Sequence, residues 1–283
     1  MTRPFVYIAG LIRTGSTALS EALSEPGRAL IIREPRLGTN RIVLRNADRQ
    51  SLRDHGLDAD RALALPRQLT RVLRAAGKGG HPDGGSGTGW LSGYAARVFR
   101  DRIAGGLAER VEQVGIKEVR HDGWEHVLAA FPGLRCVAIA RDPRDVYLSQ
   151  CARILARGRP LPSPEVFATR LDRQFRLQRA LVHATDALTI RYEDLCRDSA
   201  VLGSVRAFVQ SPVQGAGSVG AFTASQPLRQ PEQHLHGGSL TSLRVARWTR
   251  EPDAEALRAA HEVFDAMGEY RAFWGYSRDP EDL

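Results

Sequence analysis

The sequence predicts a three-layer α/β fold, with a central, mainly parallel β-sheet flanked by helices, in a single domain over residues 1–283. Three observations carry that expectation. Five short apolar, β-prone runs are bounded by turns, stretches of helical periodicity separate them, and a glycine loop joins the first run to the first helical stretch. Strands that are apolar throughout, instead of alternating, belong to sheets covered on both faces, and these are mostly parallel.

The elements follow in order. FVYIAG (5–10) is the first strand, and STALSEALS (16–24) reads as the helix after it. Between them, Gly10 and Gly15 have the separation of the nucleotide loop G-x-x-x-x-G-K-[ST], and Thr17 closes the pattern. Ser16 stands where that loop has its lysine. The fold is therefore P-loop-like. ALIIRE (29–34) is the second strand. Residues 60–76 place Leu69, Val72 and Leu73 on one helical stripe, with an irregularity at Pro66. VGIKEV (114–119) and LRCVAIAR (134–141) are the third and fourth strands, and Pro143 opens a helix after the latter. Pro164 begins a longer helix whose Phe167, Leu171, Phe175 and Val182 recur at near-helical spacing, a core stripe. ALTIRYEDL (187–195) is a fifth strand running into a helix. Segments 77–89 and 211–238, rich in Gly, Ser, Gln and Pro, read as mobile loops or lids.

Composition narrows the partners. The net charge is +8 and the basic residues are nearly all arginine, which favours anionic partners. No polybasic block marks a nucleic-acid arm, and no nucleic-acid partner is expected. Cys136, Cys151 and Cys196 form no metal-ligand pattern and fit a reducing compartment. No apolar run has the length of a bilayer span, so no membrane partner and a cytoplasmic location are expected.

Two segments carry anion chemistry. A glycine loop between strand and helix aims backbone N–H groups at an anion, Ser16 and Thr17 add hydroxyl donors, and Arg13 supplies a bidentate cation. The lysine missing at Ser16 is the one that reaches β- and γ-phosphates, so a ligand lacking a γ-phosphate does not need it. The second segment, ARDPRDVYLSQ (140–150), puts Arg141 at a strand's carboxyl end, where open α/β sheets bind ligands. Ser149, on the following helix, could grip the same phosphate. The competing role for Arg141 is an ion pair with Asp142 or Asp145. Two other functions stay open at this level. One is a small-molecule kinase, for which the loop lysine and a convincing Mg²⁺ ligand are missing; the other is a non-catalytic nucleotide- or RNA-binding module.

Taken together, the motifs resemble the sulfotransferases that use 3′-phosphoadenosine 5′-phosphosulfate (PAPS), and the soluble bacterial type in particular. IRTGST (12–17) is similar to that family's 5′-phosphosulfate loop, and RDPRDVYLS (141–149) to its 3′-phosphate motif. RYEDL (191–195) resembles the segment near the adenine, and LRVARWTRE (243–251) the C-terminal stretch that closes the donor site. The resemblance implies donor contacts from Arg13, Thr14, Gly15, Ser16, Thr17, Arg141, Ser149, Tyr192, Arg247 and Trp248. It implies a sulfuryl transfer from PAPS to the hydroxyl of a small acceptor, a soluble metabolite, with PAP as product and no metal. Thr14 stands where serine is commoner, and Arg13 where the cytosolic branch has lysine.

Sulfuryl transfer needs a cation for the developing charge and a base for the acceptor proton. Lys117, one of only two lysines, ends a strand that reads as buried; the other, Lys78, lies in the glycine-rich loop. Lys117 resembles the family's catalytic lysine, with Arg13 sharing its role. Three residues are candidates for the base: Glu34 first, similar to the glutamate of the carbohydrate and tyrosyl-protein branches, then Glu118, then His121. The cytosolic branch has its histidine two residues after the lysine, where this chain has Val119.

Overall fold

The computed structural model describes residues 3–39, 42–64, 93–214 and 245–279. The stripe at Leu69, Val72 and Leu73, Pro66, Lys78 and the segments 77–89 and 215–238 lie outside the described residues.

The strands are β1 (Val6–Gly10), β2 (Ala29–Arg33), β3 (Gln113–Glu118), β4 (Arg135–Ala140) and β5 (Leu188–Arg191). They form one sheet in the order β2-β3-β1-β4-β5, and every pairing is parallel. The helices that position the site are α1 (Ser16–Ala22), α2 (Asn46–Asp54), α3 (Ala59–Leu63), α4 (Tyr94–Val98), α5 (Trp124–Ala130), α6 (Pro143–Leu155), α7 (Pro164–Thr185), α8 (Tyr192–Arg197), α9 (Ser199–Val209), α10 (Ala254–Ala266) and α11 (Gly268–Trp274).

Alternation along the strands makes the three layers. Val6, Ile8, Ile31, Val137 and Ile139 face one way, against Leu19 and Leu23 of α1, Leu195 of α8 and Val205 and Val209 of α9. Tyr7, Ile32, Val114, Ile116 and Ala138 face the other, in a core with Phe167, Leu171 and Phe175 of α7 and Phe264 of α10. Burying such side chains stabilises the fold by roughly 1.5–3 kcal/mol each.

Local chemistry sets the helix starts. Asp142 accepts from the N–H of Arg144 at 2.8 Å ahead of Pro143, and Ser163 accepts from that of Val166 at 3.3 Å ahead of Pro164. Three strands, β2, β3 and β4, end one residue earlier than the apolar runs predict, and for β2 and β4 the cause is visible. Glu34 turns to φ 54°, a left-handed conformation that a strand cannot continue through. The N–H of Arg141 donates to the Tyr270 hydroxyl at 3.1 Å, and that hydroxyl donates to the Arg141 carbonyl at 2.9 Å, so Arg141 leaves the ladder.

Candidate active site

The carboxyl ends of the five strands form one edge. Arg13, Glu34, Lys117, Arg141 and Tyr192, each singled out from a different stretch of sequence, all stand along it.

The loop after β1 is shaped by two left-handed residues, Arg13 at φ 66° and Gly15 at φ 85°. Thr14 is fully buried, and its hydroxyl donates to the Leu11 carbonyl at 2.8 Å, so it braces the loop from within. A Cβ on Gly10 would lie 2.5 Å from that of Ser16, which packs back over the strand end. A Cβ on Gly15 would lie 2.2 Å from Cδ2 of Tyr192. Both glycines are therefore required by close approach. Thr17, half-buried, follows in the first turn of α1, which has no side-chain cap.

Tyr192 connects this loop to the second anion segment. Its ring lies against Gly15 on one side, and the Arg141 guanidinium carbon stands 4.7 Å from the ring centroid. Arg13 Nε donates to Ser149 Oγ at 2.9 Å, joining the β1 loop to α6. Arg13, Ser149, Arg141 and Tyr192 thus converge. Of the two carboxylates considered for Arg141, Asp145 is its partner, at 3.0 Å, while Asp142 takes Arg144 at 2.6 Å.

Asp145 also accepts from the backbone N–H of Trp248 at 3.0 Å, which ties the C-terminal RW segment to Arg141. The Trp248 indole is buried and stacks on Arg144, with 3.6 Å from the guanidinium carbon to the ring centroid. Arg247 is half-buried and lies 3.7 Å from Glu251. The structure brings the Trp248 backbone to the site and turns its ring into the core.

Lys117 and Glu34 meet because β2 and β3 are neighbours, with Arg33 opposite Lys117 in register. The Glu34 N–H extends the ladder to the Lys117 carbonyl at 2.6 Å, and Lys117 Nζ donates to Glu34 Oε1 at 2.5 Å. Lys117 is 1 % exposed. Burial lowers its pKa, and Glu34 opposes that shift. Burial pushes the Glu34 carboxyl up, but Lys117 and Arg45 outweigh it and hold the group below its ordinary range. Arg45, ion-paired with Glu34, was not predicted from the sequence; no motif surrounds it. Arg33, next to Glu34 in sequence, turns instead to Glu21 and Asp48.

The other two base candidates have different surroundings. Glu118 Oε1 accepts from the N–H of Arg36 at 2.5 Å and of Leu37 at 3.4 Å, and burial pushes its pKa up to about 8. It clasps the loop that carries Glu34, in which Arg36 is also left-handed at φ 59°. His121 is fully buried, with Nε2 at 2.9 Å from the Gly10 carbonyl and Nδ1 at 3.3 Å from the Tyr7 hydroxyl. Those partners assign the proton to Nε2, which donates to Gly10, while Nδ1 accepts from Tyr7. Burial holds this imidazole down to about 4. Among the described residues, no group of three or more His, Cys, Asp or Glu side chains could hold a metal ion, and no helix is long and apolar enough to cross a membrane.

Residues 4–207 match a family model described as "Sulfotransferase family". Two solved structures share the fold along nearly the whole chain. The sulfotransferase domain from the curacin biosynthetic pathway is 16% identical with a TM-score of 0.55, covering 92% of this chain and 97% of its own. The sulfotransferase domain from the Synechococcus PCC 7002 olefin synthase is 15% identical with a TM-score of 0.56, covering 98% and 96%. At such identities the likeness is one of fold. No curated protein matches the chain.

Proposed function

The chain belongs to the sulfotransferase family, and we propose that it moves a sulfuryl group from PAPS to a hydroxyl of a small acceptor by in-line displacement. The observation that carries this reading is the Lys117–Glu34 pair, with Lys117 buried and Glu34 partly accessible, beside a lysine-free phosphate-type loop. Cation and base stand together at the carboxyl edge, Lys117 on β3, which neighbours β1 and its loop, and Glu34 just after β2, one strand further out.

The residues suit the donor. The PAPS phosphosulfate has no γ-phosphate, and Ser16 replaces the lysine that would reach one. Arg13 and the loop N–H groups hold the phosphosulfate end, and Arg141 with Ser149 holds the 3′-phosphate. The Tyr192 ring, seated between Gly15 and Arg141, keeps the two subsites in register and borders the adenine side. Arg247 closes the edge from the C-terminal segment. PAPS supplies the sulfuryl group and departs as PAP.

Lys117 gives the transferring oxygens an ammonium in a dry setting, where charge acts most strongly. When Lys117 turns toward those oxygens, Glu34 loses part of what holds its pKa down and becomes a stronger base for the acceptor hydroxyl. Glu34 is favoured over Glu118 and His121 because it is partly accessible and touches the cation. Glu118 is committed to the N–H groups of Arg36 and Leu37, and His121 to Gly10 and Tyr7.

The test is incubation with PAPS and a panel of hydroxylated acceptors, read by mass, beside thermal shifts with PAP and with Mg·ATP. Sulfated product and stabilisation by PAP are expected. Stabilisation by Mg·ATP alone, with phosphorylated product, would return the protein to the kinase reading.

A further inference from the structure

A cavity of about 470 Å³ opens beside the transfer edge, within the size range of small-molecule sites. At one end it is lined by Ile12, adjacent to Arg13, and by Val119, two residues past Lys117. Gln150, next to Ser149, lines it as well. Its other walls come from α6 and α7.

The lining has two characters. Ile12, Val119, Ile154, Phe167 and Leu171 form an apolar surface, with Phe167 and Leu171 buried at its base. Arg120, Arg170 and Arg173 are exposed. Arg173 is accounted for, since it donates to Asp122 at 2.6 Å, and Gln174 donates to the same carboxylate at 3.2 Å. Asp172, also on α7, takes Arg176 at 2.9 Å. Arg120 and Arg170 have no side-chain hydrogen bond or ion pair among the described residues. The cavity therefore has an apolar floor and, at its rim, two exposed guanidinium groups with no acidic partner among the described residues.

From this we infer that the acceptor is a hydroxylated amphiphile with an acidic group, which Arg120 and Arg170 bind while its apolar body lies on Phe167 and Leu171. The inference rests on the sulfotransferase reading for what the cavity is for. The chemistry of the ligand comes from the lining: a neutral acceptor would leave both guanidinium groups without a counter-charge, and a small polar acid would leave the apolar floor uncovered. Carboxylate and phosphate groups share the required chemistry, since both accept the two-pronged guanidinium bond.

The experiment uses the full chain saturated with PAP, at one fixed ionic strength because exposed charges are screened by salt. Three probes are titrated by calorimetry: ω-hydroxylaurate, its methyl ester and the matching ω-hydroxyalkyl phosphate. The acid is expected to bind about tenfold or more tightly than the ester, as for a charge-assisted contact. In the double variant R120A/R170A the ratio of the two affinities should fall to about one, with PAP affinity retained as the sign of an intact fold. Tighter binding of the phosphate than of the carboxylate assigns a phosphorylated headgroup, and the reverse a carboxylate. Equal affinities for acid and ester in the unaltered protein, or a preference that survives in the double variant, overturns the proposal. Transfer from PAPS to the same probes is read separately by mass. An arginine-dependent acid preference without transfer counts against the sulfotransferase reading and supports the pocket chemistry. Transfer to acid and ester with equal kcat/KM overturns the pocket chemistry alone.

Discussion

Lys117 carries opposing pressures that define what it can do. Burial disfavours its charge, and Glu34 at 2.5 Å offsets that only in part. Removing Glu34 leaves Lys117 buried without its ion-pair partner, whereas removing Lys117 leaves Glu34 with Arg45, so substitutions here should affect more than one property. Lys117→Ala is expected to lower kcat by about a hundredfold or more, because the ammonium acts on charge that develops in the transition state. Glu34→Gln keeps the shape and removes the base, so kcat should fall roughly a hundred- to ten-thousandfold while PAP affinity stays close to that of the unaltered protein. Steady-state kinetics with calorimetry for PAP separates the two effects. An active Glu34→Gln beside an inactive Glu118→Gln would move the base to Glu118 and leave the fold and donor assignment untouched. Lys117 was legible in the sequence because lysine is scarce and a lysine ending an apolar run is out of place. Arg45 was not, because an arginine in an arginine-rich chain carries no signal until the fold sets it against Glu34.

At the scale of elements, the loop after β1 and the start of α8 act as one unit. The Tyr192 ring occupies the space a side chain at position 15 would need, and Gly15 has φ 85°. Gly15→Ala therefore meets two costs: backbone strain of about 1–2 kcal/mol for an L-residue in the left-handed region, and displacement of a ring 2.2 Å from the new methyl. The expected outcome is a melting temperature lower by several degrees and a loss of PAP affinity of at least tenfold. Adding Tyr192→Ala separates the costs. If the ring contact dominates, Gly15→Ala should destabilise the Tyr192→Ala background clearly less than it destabilises the unaltered chain. An equal loss in both backgrounds would mean that backbone strain alone sets the effect. All five strands were legible because each lies in a short apolar, β-prone run bounded by turns, and α6 and α7 because Pro143 and Pro164 open them. The strand ends were less so. What ends β2 is the left-handed turn at Glu34, and what ends β4 is the bond between Arg141 and Tyr270, a residue 129 positions away. Neither cause is a local propensity.

Across the whole molecule, Glu118 and His121, three residues apart, act on stability in opposite directions as pH changes. Both brace the edge from beneath: Glu118 through the loop bearing Glu34, His121 through the carbonyl of Gly10. The sequence offered them as bases, because a glutamate and a histidine close to a lysine look catalytic until their burial is known. The Glu118 carboxyl is pushed up to about 8. Between its ordinary unfolded value near 4.3 and 8 the folded chain therefore holds a proton that the unfolded chain has released, and the contribution of this group to stability falls as pH rises through that window. His121 is held down to about 4. Between that value and its unfolded value near 6.5 the unfolded chain binds the extra proton, so its contribution is lost as pH falls. Differences between variant and unaltered protein isolate each group from all others that titrate. The melting temperature of Glu118→Gln minus that of the unaltered chain should become more positive from pH 5 to pH 8, and that of His121→Gln more positive from pH 6.5 to pH 4. Both substitutions lower stability at the other end of their windows, through the contacts to Arg36 and Gly10 that they weaken. The sign of each slope is therefore the test, not the absolute temperature. A flat difference for Glu118→Gln would mean that the N–H groups of Arg36 and Leu37 hold the carboxylate ionised. Glu118 would then regain standing as a base near neutral pH, in direct competition with Glu34.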